Sequence, residues 1–306
     1  MNYIGIDTSN YTTSVACFDG CDGIDYARLL PVKQGELGLR QSDAVFAHIK
    51  SLPELSGRLF SDFSGEIAAV GVSTRPRAVE GSYMPCFMVG YSHAKMLSDA
   101  FGVPLVEVSH QQGHVAASLW SAGRLDLMDR PHLAWHLSGG TTELLLVEPE
   151  GRNVRCTKIG GTTDISAGQL IDRTGQLLEL PFPSGKHLDR LSMQAEMRES
   201  FKVKCQDLTF SLSGIQNKVQ QFHAKHGTPV ETAAYALRCV AGAVYRTTEE
   251  AMKQYPGVAV VFSGGVASNS MLRKVMEPLD PVFSEPRYST DNAMGVAVLA
   301  KRMTEE

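Results

Sequence analysis

His110 and His114 stand four residues apart in the run Ser109-His110-Gln111-Gln112-Gly113-His114. On a helix this spacing puts both imidazoles on one face, where they could share one metal ion. In a chain with nine histidines the pair equally fits a helix face that holds no ion. Zinc proteases of the H-E-x-x-H type need Glu directly after the first His as general base. Here that position is Gln111, so the chain does not read as a metalloprotease. A metal site would need a third ligand from elsewhere, and Asp291 is the candidate. An Asp opening a helix also fits a plain cap stabilised by the helix dipole.

The second chemical feature is Ser263-Gly264-Gly265-Val266-Ala267-Ser268-Asn269. The β-branched run before it reads as a buried strand. Met271, Leu272, Val275 and Met276 after it recur at helical spacing. Paired glycines at a strand-to-helix turn let a flat ligand or a phosphate approach the backbone; a tight connection without a ligand has the same appearance. A related turn, His136-Leu137-Ser138-Gly139-Gly140-Thr141-Thr142, joins two strand-like runs within residues 132–147. Residues 3–18 repeat that design around Thr8-Ser9-Asn10-Tyr11-Thr12. Two such hairpins suit either a duplicated domain or two unrelated hairpins.

The elements that would position these groups follow from periodicity. Strands are expected over 68–73 and 105–108. A helix over 82–101 should end before Gly102, and another should start after Ser109 as its N-cap. Residues 164–180 put Ile165, Leu170, Ile171, Leu177 and Leu178 on one face, with Asp172 off it. Pro181, Pro183 and Gly185 then break the chain. A loop-rich stretch over 191–210 precedes helices near 215–226 and over 230–255. A last helix over 292–303 is capped by Thr290 or Asp291.

The 306 residues are 43% hydrophobic and 20% charged, with a net charge of −4. That excludes a strongly basic nucleic-acid binder, though not a local basic patch. The six cysteines form no C-x-x-C, which excludes a zinc knuckle and a thioredoxin motif. No apolar run approaches the ~20 residues of a membrane span. Asp7 interrupts the first apolar run as no signal peptide would allow, so a cytoplasmic protein with reduced thiols is expected.

Six motifs in order, S-H-Q-Q-G-H, L-S-G-G-T-T-E-L, A-G-Q-L-I-D-R-T, F-S-L-S-G-I, F-S-G-G-V-A-S-N and S-T-D-N-A-M, resemble the TsaD family of transfer-RNA threonylcarbamoyltransferases. Each alone is soft; together they are specific, and the likeness runs from Tyr3 to about Met303. The resemblance implies an α/β, actin-like ATPase fold of two duplicated lobes, residues 1–128 and 129–306, with the last helix free to pack back on the first lobe. It places the site in the central cleft. Matched residue by residue, it implies one divalent ion, Fe or Zn, on His110, His114 and Asp291. It implies phosphate and acyl-group contacts from His136, Leu137, Ser138, Gly139 and Gly140. Nucleotide contacts fall on Asp172, Gly185, Asp189 and Asn269, beside the Gly264-Gly265 turn. The ligand would be ATP, AMP or an acyl-adenylate, the acceptor tRNA, and the partner a paralogous actin-like subunit or a second copy, with no membrane. The resemblance leaves the catalytic residues unassigned.

Three departures stand out. The family's first hairpin carries an acidic pair where this chain has Tyr11 and Thr12. Its T-G-P-G loop is Thr74-Arg75-Pro76-Arg77 here, and the histidine of its S-G-G-H-T is Thr141. Arg75 and Arg77 suit pairing with a phosphate or carboxylate, or closing the loop by salt bridges. Two readings result. One is transfer of a threonylcarbamoyl group from its adenylate to the adenosine next to the anticodon. The other is a catalytically weakened nucleotide-binding paralogue, acting as a dimerisation partner or as a carbamoyl transferase on another acceptor.

Overall fold

A computed structural model of the chain describes residues 1–9, 11–31, 39–196, 198–289 and 293–305. The chain divides into two compact units. One comprises Met1–Arg130, Glu148–Cys156 and Arg287–Glu306; the other comprises Pro131–Val147 and Thr157–Pro286.

The first unit is built on a five-stranded sheet of β1 (Asn2–Thr8), β2 (Thr12–Phe18), β3 (Gly23–Leu29), β4 (Ile67–Arg75) and β5 (Leu105–Ser109), in the order β3-β2-β1-β4-β5. β1 runs antiparallel to β2 and parallel to β4, and β4 runs parallel to β5. β1 and β2 are buried from their second residue onward, as expected of strands covered on both faces. The helices are α1 (Gln41–Asp62), α2 (Phe87–Phe101), α3 (His110–Ser121) and α9 (Ala293–Thr304). α9 lies against β1, β4 and α3, and glycine makes this approach possible. A Cβ on Gly5 would stand 2.0 Å from the Ala293 carbonyl oxygen, and one on Gly295 would stand 1.9 Å from that of Gly113.

The second sheet runs β12-β11-β6-β7-β8-β10-β9. Its strands are β6 (His132–Leu137), β7 (Thr142–Glu150), β8 (Asn153–Thr162), β9 (Cys205–Gln206), β10 (Thr209–Phe210), β11 (Ala259–Ser263) and β12 (Val282–Phe283). β6 pairs antiparallel with β7 and parallel with β11, and β11 pairs parallel with β12. The run β8-β7-β6-β11-β12 therefore repeats β3-β2-β1-β4-β5. The paired hairpins belong to one design used twice. Around this sheet are α4 (Ala167–Leu177), α5 (Gly185–Ser192), α6 (Ser213–His226), α7 (Pro229–Gln254) and α8 (Ser270–Met276). Trp135 of β6 is fully buried, and its indole N–H donates to Thr248 Oγ1 on α7 at 2.8 Å, which satisfies the one polar atom that its burial would strand.

Several local expectations need correcting. The helix expected from residue 82 begins only at Phe87, because Pro85 restricts Met84 to extended backbone. Residues 164–166 lie outside α4. Ser166 is its N-cap in a reciprocal capping box with Gln169, and Asp164 serves a different purpose described below. α1 escaped periodicity altogether because Pro53 sits inside it, where proline normally breaks a helix. Thr290, Asp291 and Asn292 lie outside the described residues, so neither expected cap of α9 is assigned. Among the described residues, no helix is long and apolar enough to cross a membrane.

Candidate active site

In the first unit the carboxyl ends of parallel strands β1, β4 and β5 bring together Asp7, Ser73 and His110. Ligand sites gather at that edge in open α/β sheets. Ser109 ends β5 and caps α3 through a capping box: its Oγ accepts from the Gln112 N–H at 3.2 Å, and Gln112 Oε1 accepts from the Ser109 N–H at 2.9 Å. The cap fixes the turn from which His110 projects. Asp7 is 1% exposed. Its Oδ1 accepts from Ser73 Oγ, and lies 3.0 Å from His110 Nδ1.

An ionised carboxylate only accepts, so His110 Nδ1 is the donor in this contact. His114 Nε2 lies 3.0 Å from His110 Nε2, within hydrogen-bond distance. An imidazole held by a carboxylate on one nitrogen and presenting the other is the usual arrangement of a metal-binding histidine. Two Nε2 atoms 3.0 Å apart are close enough for one ion at bonds of about 2.0–2.1 Å. The donor set fits a metal in this respect. Among the described residues no group of three or more His, Cys, Asp or Glu is arranged to hold an ion, and the third expected ligand, Asp291, lies outside them. Cys86 is buried nearby. Burial, reinforced by the Asp7 charge, pushes its thiol up to about 11, so it is protonated at neutral pH.

Two of the three departures fall in this same unit. Tyr11 is exposed and Thr12 opens β2. Arg75 pairs in register with Ser109, and the Gln111 N–H donates to the Pro76 carbonyl at 3.0 Å, tying the arginine loop to the start of α3. Asp7 was the residue that spacing missed. Its signal was a lone carboxylate inside an otherwise apolar strand.

The second unit holds a cavity of about 520 Å³. Of the expected nucleotide contacts, Gly139, Asp172, Gly185, Asp189, Gly265 and Asn269 line it. His136, Leu137, Ser138, Gly140 and Gly264 are not among its lining residues; His136 and Leu137 end β6, and the other three belong to the turns after β6 and β11. Gly264 has φ +90°, and a Cβ there would meet the Leu137 carbonyl oxygen at 2.3 Å, so the fold itself demands this glycine. Gly139, Gly185 and Gly265 differ: a Cβ on any of them would meet nothing within 4 Å. Neither crowding nor a left-handed backbone explains those three. They leave bare backbone facing the cavity, as a closely approaching ligand requires.

Asp172 lines the cavity, and its Oδ1 accepts from the Ser184 N–H at 2.9 Å. Asp189 is more heavily engaged. It accepts from Asn269 Nδ2 at 2.9 Å, from the Ser270 N–H at 3.2 Å and from Ser270 Oγ. Asn269 Oδ1 in turn caps α8 by accepting from the Leu272 N–H at 3.0 Å. Asp189 and Asn269 thus join α5 to α8. Thr141 closes the β6–β7 turn, its N–H donating to Ser138 Oγ at 3.1 Å. Phe182, Lys186 and His187 also line the cavity and were not singled out beforehand. Their signal was an aromatic between two prolines, followed by a lysine and a histidine in the first turn of a helix, where an acidic residue is favoured.

The chain matches the family model TsaD, tRNA N6-adenosine threonylcarbamoyltransferase, over residues 39–298. It is 32% identical over 311 residues to the tRNA N6-adenosine threonylcarbamoyltransferase of Carboxydothermus hydrogenoformans, covering 96% of this chain and 90% of that protein. Among solved structures it resembles the Acidaminococcus fermentans (R)-2-hydroxyglutaryl-CoA dehydratase component A, with a TM-score of 0.59 at 14% identity over 99% of this chain and 100% of that one. It also resembles a ROK family glucokinase from Streptomyces griseus in complex with glucose and AMPPNP, with a TM-score of 0.53 at 12% identity over 98% of each. These structures share the actin-like ATPase fold, which is the fold of this chain. The chain belongs to the TsaD family of tRNA N6-adenosine threonylcarbamoyltransferases.

Proposed function

We propose that the chain is a metal- and nucleotide-binding transferase that moves a threonylcarbamoyl group from its adenylate to the adenosine next to the anticodon of a tRNA, in the cytoplasm. The observation that carries this reading is the set of three cavity glycines, Gly139, Gly185 and Gly265, with open space where a Cβ would stand. In the proposed step the acceptor amine bonds to the carbamoyl carbon. The bond from that carbon to the phosphate oxygen breaks, AMP leaves with the electron pair, and the proton shed by the acceptor nitrogen passes to solvent. Backbone N–H groups around Gly139 and Gly265 donate to the phosphate oxygens, where negative charge grows. The free oxygen of Asp172 accepts from a ribose hydroxyl. His110 and His114, with Asp291, would hold one Fe or Zn ion, and Asp7 would orient the His110 ring through Nδ1. Such an ion, when bound, supplies a Lewis acid to a carbamoyl or phosphate oxygen.

The second reading, a nucleotide-binding paralogue that pairs with another actin-like subunit or with itself, is favoured by Tyr11 and Thr12 in place of the family's acidic pair. One experiment separates the two: metal content and AMP calorimetry on protein purified without added metal, for wild type and Asp291→Ala, followed by a tRNA transfer assay. The enzyme reading expects metal and AMP in wild type, metal lost in the variant, and transfer. AMP bound without metal or transfer would favour the paralogue.

A further inference from the structure

Phe182 is an aromatic side chain that the fold has not used. It is 82% exposed, makes no ring contact among the described residues, and yet lines the 520 Å³ cavity. The short segment that carries it is held firmly at both ends. The Leu180 N–H donates to the Gly175 carbonyl at 2.8 Å. The Ser184 N–H donates to Asp172 at 2.9 Å, and Ser184 Oγ donates to the Pro181 carbonyl at 3.1 Å. Ser184 is buried and sits where a Cβ on Gly175 would be, 2.0 Å from its Oγ, so only glycine on α4 lets the segment settle there. Prolines at 181 and 183 restrict the backbone on either side of the ring. A large apolar ring displayed on an anchored segment at a cavity is poorly explained by packing. It is well suited to offering a flat face to a flat ligand.

We propose that Phe182 is the stacking platform for the nucleobase and makes the cavity prefer a purine to a pyrimidine nucleotide. The inference rests on the reading of this cavity as the adenylate site. A bicyclic base covers more of the ring than a monocyclic one does, so stacking contributes selectivity without any hydrogen bond to the base. The backbone at Gly139 and Gly265 handles the phosphate, and Asp172 the ribose. Phe182 supplies the contact that those polar groups lack.

The test is calorimetry of AMP and CMP binding to the full chain as wild type, Phe182→Ala, Phe182→Leu and Phe182→Trp. The exposed position leaves folding undisturbed, which an unchanged Tm verifies. Wild type should bind AMP more tightly than CMP. Phe182→Ala should weaken AMP about tenfold or more and shrink the AMP-over-CMP preference toward one. Phe182→Leu, apolar without a π face, should recover less than half of that loss in logarithmic terms. Phe182→Trp should restore AMP binding, with indole fluorescence quenched by AMP relative to wild type. Phe182→Ala binding AMP as wild type does, or losing AMP and CMP equally, would overturn the inference and leave the adenylate site standing. Wild type binding neither nucleotide would overturn the adenylate site itself.

Discussion

The carboxyl end of β1 and the carboxyl end of β6 occupy the same place in two sheets of one strand order. At the first, Asp7, Ser73, His110 and His114 are linked by hydrogen bonds, with Asp7 shielded from solvent. At the second, glycines leave a void of about 520 Å³. A buried carboxylate is tolerable only where donors satisfy it, so the first edge is packed and specified. The second edge is specified by what is missing from it. The same strand order occurs twice, and side-chain choice gives one edge a cluster of hydrogen-bonded polar groups and the other a glycine-lined cavity.

The largest expected effect concerns the donor set. His110→Ala should abolish metal binding in protein purified without added metal while the fold is retained; unchanged metal content by elemental analysis would refute the assignment. Asp7→Asn should weaken metal binding about 10–100-fold, since an amide holds the imidazole proton less strongly than a carboxylate does.

Adjacent glycines sharpen the other side of the comparison. Gly264→Ala should destabilise the protein by about 1–3 kcal/mol or more, because of its φ of +90° and the Leu137 carbonyl 2.3 Å from the new Cβ. Gly265→Ala, one residue on, should leave Tm nearly unchanged and weaken AMP binding, because its Cβ enters open space that the ligand needs. Thermal melts and calorimetry on the two variants give a direct readout. If Gly265→Ala also lost its stability, that glycine would belong to the fold, and the cavity would lose one of its three supports.

How much of this was legible differs between the two edges. The strand–Gly-Gly–strand and strand–Gly-Gly–helix turns were readable because glycine pairs after apolar runs have few structural alternatives. Which glycines face the cavity was not readable, since Gly264 and Gly265 look alike in one dimension and differ only by backbone angle and neighbours. The His110–His114 pair was visible from its spacing, whereas Asp7 is 103 residues from His110 and meets it only through parallel pairing of β1 with β4 and β4 with β5. α1 was hidden by Pro53. Phe182 was passed over because the prolines around it announce a break and say nothing of what the break displays.

The smallest expected effect is in acid stability, and it also separates the two units. His48 of α1 is fully buried, its Nδ1 2.8 Å from Thr13 Oγ1 on the first hairpin. Burial lowers its pKa from the usual 6.5, against the opposing pull of a backbone bond at Ser9 and the Asp7 charge. The unfolded chain therefore takes up this proton more readily than the fold does. The His48 contribution is complete above about pH 6.5 and declines as pH falls below it. Asp164, in the second unit, is subject to burial that alone would raise its pKa. Ser211, Ser213 and the N–H groups of Leu212 and Ser213 outweigh that and hold its carboxyl at about 2, where it anchors the start of α6. That contribution is complete above about pH 4 and is lost as pH falls toward 2. Hydrogen exchange read against pH should show protection of α1 and the β1–β2 hairpin weakening first, and that of the α6 start only in stronger acid. His48→Gln should remove the early step and Asp164→Asn the late one; a single transition unaffected by His48→Gln would show that the first hairpin owes no pH sensitivity to that histidine.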